Sequence, residues 1–179
     1  VDNDPAMLSV AKELFAKIDD NDKARTEWFD CGAESLNLKP NEIDLCTLLQ
    51  GPNFLLDPKK VLKGVLGALK PSGRVVASAW DKIEENKGHF AIASALKKLG
   101  VQPALVPFSM GSPSLLKDIF MGSGFVIEKF YTEQKIISFN SVKEFVSGVA
   151  AGAPATRHAI SQLSPVSYTH LTLPTISVV

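Results

Sequence analysis

The chain has 179 residues, 45% of them hydrophobic and 21% charged, with 19 basic against 19 acidic side chains. This is the composition of one ordinary folded domain, and a formal net charge of zero argues against the basic surface that phosphate backbones require, so no nucleic-acid partner is expected. No apolar run approaches the roughly 20 residues of a membrane span. Cys31 and Cys46 each lie in or beside a predicted strand and read as buried, reduced thiols rather than a disulfide or metal pair.

The chain opens on VDNDPAML, where Asp4 followed by Pro5 gives a cap and a first-turn proline for a helix. Met7, Leu8, Ala11, Leu14, Phe15 and Ile18 are expected to form its apolar stripe. A carboxylate at a strand end just before such a helix, here Asp2, can accept both hydroxyls of a ribose; a nicotinamide or an adenosyl cofactor fits this octamer equally well. A solvated acid at a helix start is the plainer reading. Thr26 to Asp30 reads as a strand, followed by a loop from Cys31 to Leu36.

Ile43 to Leu49 and Arg74 to Ala79 are short apolar runs of strand character. Between them Asp57 and Pro58 start a helix whose stripe is Val61, Leu62, Val65, Leu66 and Leu69, and Pro71-Ser72-Gly73 is expected to turn the chain into the second strand. Strand, helix and strand in this order form half of an open α/β sheet, whose ligands bind in the crevice at the strand ends. Thr47, Leu48, Leu49 and Gln50 lie at such an end, with Gln50 either a ligand contact or an ordinary loop amide. Farther on, Phe90, Ile92, Ala95, Leu96 and Leu99 mark a helix ending at Gly100. A proline-rich loop from Val101 to Pro113 and a short helix from Ser114 to Met121 follow. Phe125 to Thr132 and Lys135 to Phe139 are expected to pair as antiparallel strands, before a helix led by Ser141.

In order and spacing, Asp44, Gly51, Phe54, Asp57, the LKPSGR of Leu69 to Arg74, Trp80 and the EEN of Glu84 to Asn86 resemble the centre of a class I S-adenosylmethionine-dependent methyltransferase. The likeness is to the small-molecule branch of the quinone-biosynthesis enzymes. It implies a Rossmann-like α/β fold with a mostly parallel sheet and one antiparallel strand. It makes S-adenosylmethionine the cofactor, methyl transfer the activity and a small, apolar, quinone-like or lipid-like molecule the acceptor. By resemblance Asp2, Asn3 and Met7 lie at the adenosine, Gly32, Ala33 and Glu34 at the adenine, and Leu48, Leu49 and Gln50 beside the methionine portion. Many relatives carry an acid where this chain has Gly32; Glu34 or a backbone carbonyl would then meet the adenine amino group. The resemblance also implies that the first strand and its Gly-rich turn, which belong in the middle of the sheet, precede Val1. The chain is therefore expected to be a truncated domain, possessing two unpaired strand edges and of doubtful activity on its own.

VSYTHLTLPT, from Val166 to Thr175, resembles the translation of a transposase library adapter, so residues 1–164 are expected to be the partial methyltransferase domain and 165–179 a non-native tail. Methyl transfer from a sulfonium asks mainly for alignment and exclusion of water, so no catalytic residue is assigned. His89 as a general base competes with a surface histidine, and Trp80, Phe54 and Phe108 as pocket lining compete with core packing. No nucleophile elbow, phosphate loop or metal-spaced His and Cys set is present. Two other readings stay open: a non-catalytic binding module on the same fold, and a nicotinamide-dependent oxidoreductase. Cytoplasmic location follows from the lack of a targeting signal; oligomeric state is not indicated.

Overall fold

The computed structural model describes residues 1–172. It is a mixed α/β structure of the Rossmann-like class. Its elements are α1 (Pro5–Ala16), β1 (Ile43–Leu49), α2 (Pro58–Ala68), β2 (Leu69–Ser78), α3 (Lys87–Lys98), α4 (Pro113–Met121), α5 (Val142–Gly152), α6 (Pro154–Ser161) and α7 (Pro165–Thr172). Contacts divide the chain into two compact units. The first holds Val1–Leu48, Leu55–Val76 and Ile119–Val126; the second holds Leu49–Phe54, Ala77–Asp118 and the described residues from Ile127 onward.

The centre of the first unit is the predicted strand–helix–strand. Asp57 Oδ1 accepts from the Lys60 amide at 2.9 Å, which caps α2, and Pro58 opens its first turn. Val61, Val65 and Leu69 of the expected stripe form a buried core, against which Ala33, Ile43, Cys46, Leu55, Val75 and Phe125 pack. Leu62 is buried as well, whereas Leu66 stays partly exposed. The Asn41 and Glu42 amides donate to the Gly67 and Ala68 carbonyls, so residue numbers rise together and the two strands run parallel.

Three strand expectations are corrected. Pro71-Ser72-Gly73 does not precede the second strand but lies within it, since β2 starts at Leu69. The Glu42 amide meets Ala68 and the Gln50 amide meets Ser78, so β2 uses two more residues than β1 between these rungs. The extra residues make a bulge, where Pro71 needs no ladder partner and Gly73 is required: a Cβ there would stand 2.8 Å from the Ile43 carbonyl oxygen. Thr26 to Asp30 is not a full strand, being reduced to one parallel bridge between Asp2 and Asp30. Phe125 to Thr132 and Lys135 to Phe139 form no strand pair. Val126 and Ile136 are almost wholly exposed and Ile137 is largely so, and an isolated two-stranded hairpin is marginal at best. The stripe of α1 is also covered less than its spacing implies, with Leu8 buried and Met7, Leu14 and Ile18 exposed.

The second unit is a helical cluster. Ile92 and Leu96 of α3, Val146 of α5, Ala159 and Ile160 of α6 and Leu171 of α7 form its core. Ser141 Oγ accepts from the Glu144 amide and caps α5 as expected, while Glu144 Oε2 accepts from the Asn140 amide. Helices α6 and α7 were not anticipated. Leu171 belongs to the segment read as adapter-derived, yet it is buried; residues 173–179 of that segment lie outside the described residues. Among the described residues no helix is long and apolar enough to cross a membrane.

Candidate functional site

In the first unit the expected adenosine residues gather where two chain segments meet. The Asp2 amide donates to the Phe29 carbonyl and the Cys31 amide to the Asp2 carbonyl, each at 3.2 Å. This pair of bonds brings Asp2 beside the loop that holds Gly32, Ala33 and Glu34. Asp2 Oδ1 accepts from the Asp4 amide at 2.9 Å, and Asp4 Oδ1 accepts from the Ala6 amide at 2.9 Å to cap α1. Two successive side-chain turns thus fix the half-buried Asp2 carboxylate at the head of a helix. Asn3 and Met7 are exposed on the same turn.

Ala33–Ser35 is a single tight turn after Gly32, and Ala33 packs against the core of α2. Glu34 has a different role from the adenine contact considered above: its Oε1 accepts from the Leu56 amide at 2.8 Å. Hydrogen bonds from its own backbone and from Leu56, with Lys60 adding attraction, hold its carboxyl below the usual range. Glu34 therefore ties the loop to the start of α2. Leu48 closes the first unit's part of β1 and is half-buried.

Leu49 and Gln50 belong to the second unit, where β1 ends. Leu49 is 66% exposed. Gln50 adopts φ 56°, an uncommon value for a residue other than Gly, Asn or Asp. Its amide donates to the Ser78 carbonyl at 3.0 Å and to Ser78 Oγ at 3.1 Å, and its side-chain nitrogen lies 3.4 Å from the same Oγ. Gln50 Oε1 is buried with no partner among the described residues. Three residues on, Asn53 is 5% exposed; its Nδ2 donates to the Pro107 carbonyl at 2.6 Å and its Oδ1 is likewise buried without a partner among the described residues.

Trp80, His89 and Phe108 come together in this unit, with ring centroids 5.5, 5.4 and 6.3 Å apart. Trp80 keeps 41% of its surface exposed. His89 and Phe108 line a cavity of about 10 Å³, room for roughly one water, with Ile92, Leu96 and Thr156. Burial lowers the His89 pKa, so its imidazole is neutral at pH 7 and able to accept a proton. His89 is thus neither a plain surface histidine nor a simple core residue. Phe54, the third aromatic considered, is mostly exposed.

Three polar residues of the second unit escaped sequence reasoning. Asn53 sits in a Gly-Pro-Asn run that reads as a solvent-facing turn. Ser78 is hidden in an apolar strand. Asn86 Nδ2 donates to the carbonyls of Asp81 and Lys82, each at 2.9 Å. Gly111 packs so tightly on the same Asp81–Lys82 backbone that no side chain fits there. The only available signal was the EEN run itself, which contains Asn86.

Residues 1–77 match a protein family described as "Methyltransferase domain". Over 77 residues the chain is also 30% identical to the 2-methoxy-6-polyprenyl-1,4-benzoquinol methylase, mitochondrial, of Caenorhabditis elegans. That alignment covers 43% of this chain and 27% of the relative, so the chain spans about a quarter of that protein's length. The chain resembles a class I methyltransferase of the quinone-biosynthesis type, as the motif order from Asp44 to Arg74 implies. The family match takes in Asp2, Asn3, Met7, Gly32, Ala33, Glu34, Leu48, Leu49 and Gln50, and ends within β2. Among the described residues no three His, Cys, Asp or Glu side chains are placed to hold a metal ion.

Proposed function

We propose that the protein transfers a methyl group from S-adenosylmethionine to a small, largely apolar acceptor of the hydroquinone class. The observation that carries this reading is the family match over residues 1–77; the parallel bridge between Asp2 and Asp30, which brings Asp2 beside the loop from Gly32 to Glu34, supports a role for Asp2 at a ribose. One Asp2 oxygen is engaged by the Asp4 amide, and the other is suited to a ribose hydroxyl. Asn3 and Met7 would flank the adenosine, and the turn from Gly32 to Glu34 would border the adenine through backbone groups, since Glu34 is committed to Leu56. Leu48, Leu49 and Gln50 would border the methionine portion.

When bound, S-adenosylmethionine supplies an activated methyl group. The protein's own task is then alignment and exclusion of water, and a neutral imidazole such as that of His89 is suited to take up the proton an acceptor hydroxyl or ring carbon releases. The domain is proposed to work as a soluble enzyme in the cytoplasm on a small molecule, without nucleic acid.

The test is to incubate the protein with methyl-deuterated S-adenosylmethionine and a methoxylated hydroquinone and to look for the labelled product by mass spectrometry. A product that depends on protein supports the reading. A folded protein that binds the cofactor but methylates none of a panel of hydroquinones, phenols and lipids would leave the non-catalytic binding module as the better account.

A further inference from the structure

Gln50 is held in a backbone conformation that its side chain disfavours. Its φ of 56° lies in the left-handed region, where a Cβ crowds the following carbonyl oxygen. Asn41 is the other non-glycine residue of positive φ among the described residues, and the short polar side chain of asparagine tolerates that region; glutamine lacks this advantage. Gly51, which would adopt the conformation freely, follows directly but is not the residue that takes it. A strained residue of this kind persists only where its surroundings fix it, and such residues cluster at ligand sites. Here Ser78 fixes it. The Ser78 carbonyl and Oγ accept from the Gln50 amide at 3.0 and 3.1 Å, and the Gln50 side-chain nitrogen lies 3.4 Å from the same Oγ. The clamp stands at the carboxyl end of β1, and open α/β sheets bind their ligands outside such strand ends.

We propose that Ser78 is a positioning residue for the adenosyl cofactor: its hydroxyl locks Gln50 in the left-handed conformation, which directs the peptide group between Gln50 and Gly51 toward the ligand. This rests on the methyl-transfer reading and names a residue that sets the geometry of its cofactor site. Ser78 acts through the Gln50 backbone and does not touch the cofactor itself. Without the hydroxyl, Gln50 relaxes toward negative φ, the binding-competent conformation becomes a minor one, and apparent affinity falls by the fraction of molecules that leave it. A glycine at position 50 needs no clamp, because it enters the left-handed region without strain.

The test titrates the full chain with S-adenosylhomocysteine by calorimetry and follows thermal melting of the same samples. Ser78→Ala is expected to bind roughly tenfold more weakly than the wild type, and Ser78→Thr, which keeps the hydroxyl, to recover most of that loss. Adding Gln50→Gly to Ser78→Ala is expected to restore affinity, since the backbone conformation returns without the serine. A Ser78→Ala protein that melts earlier but binds as the wild type does would show a purely structural role and overturn the proposal. So would a double variant that stays weak, because the Gln50 side chain would then be the group that matters. Should Ser78→Ala fail to fold, Gln50→Val and Gln50→Gly decide it: both lack the amide side chain, but valine resists the left-handed region and is expected to bind at least about tenfold more weakly than glycine, equal binding overturning the proposal. If the wild type binds S-adenosylhomocysteine and Ser78→Ala does so equally, only this inference fails. If the wild type does not bind it, the functional reading fails and this inference with it.

Discussion

The helices of the second unit and the strands of the first carry equally apolar residues, with opposite outcomes. Ile92, Leu96 and Val146 recur at helical spacing and reach nearly complete burial among α3, α5, α6 and α7. Leu45 of β1 and Val76 of β2 are apolar too, yet both remain more than half exposed. The difference lies in what each element needs from its neighbours. A helix satisfies its own backbone and requires a partner on one stripe, whereas a central strand requires partners on both edges and both faces. Among the described residues β1 pairs with β2 alone.

That contrast makes a quantitative prediction. Leu96→Ala is expected to cost about 2–5 kcal/mol in urea unfolding, while Leu45→Ala should stay within about 0.5 kcal/mol. Similar losses at the two sites would mean that β1 is covered in solution. Helix caps should behave alike in both units: Asp57→Ala and Ser141→Ala are each expected to lower stability by about 1 kcal/mol, read from the same unfolding curves. A negligible loss at Asp57 alone would show that α2 is already loosened by its incompletely covered sheet.

Acid should act on the two units through different groups. His89 has its pKa lowered by burial, so as pH falls below about 6.5 the unfolded chain binds the proton first and stability declines. His89→Phe should flatten the pH dependence of the melting temperature in that window; an unchanged slope would mean that the ring is solvated. The smallest effect is expected at Glu34, whose lowered pKa gives stability that is present above the usual carboxylate range and lost as pH drops through it. Glu34→Gln can still accept from Leu56 but carries no charge, so it should remove that acid step together with the small contribution Glu34 makes at pH 7.

Much of the fold was legible because its signals are local. Asp57-Pro58, the stripe from Val61 to Leu69 and Ser141 each specify a helix by groups within a few residues. The β2 bulge was missed because Pro71-Ser72-Gly73 is ordinarily a turn signal; only the Ile43 carbonyl beside Gly73 shows why the same residues serve inside a strand. The expected pair from Phe125 to Phe139 failed for a related reason, since alternation supplies strand character but not a surface to lie on. The start of α1 was readable from Asp4-Pro5. Asn53 was not, because burial of a turn residue depends on Pro107, 54 positions away.

The most direct test of the account is a calorimetric titration of the protein with S-adenosylmethionine, S-adenosylhomocysteine and a nicotinamide dinucleotide, alongside Asp2→Ala. The account predicts saturable binding of the two adenosyl ligands, weakened about 100-fold in Asp2→Ala by loss of the ribose hydrogen bonds, and no binding of the dinucleotide. Binding of the dinucleotide instead, or adenosyl binding indifferent to Asp2, would contradict it.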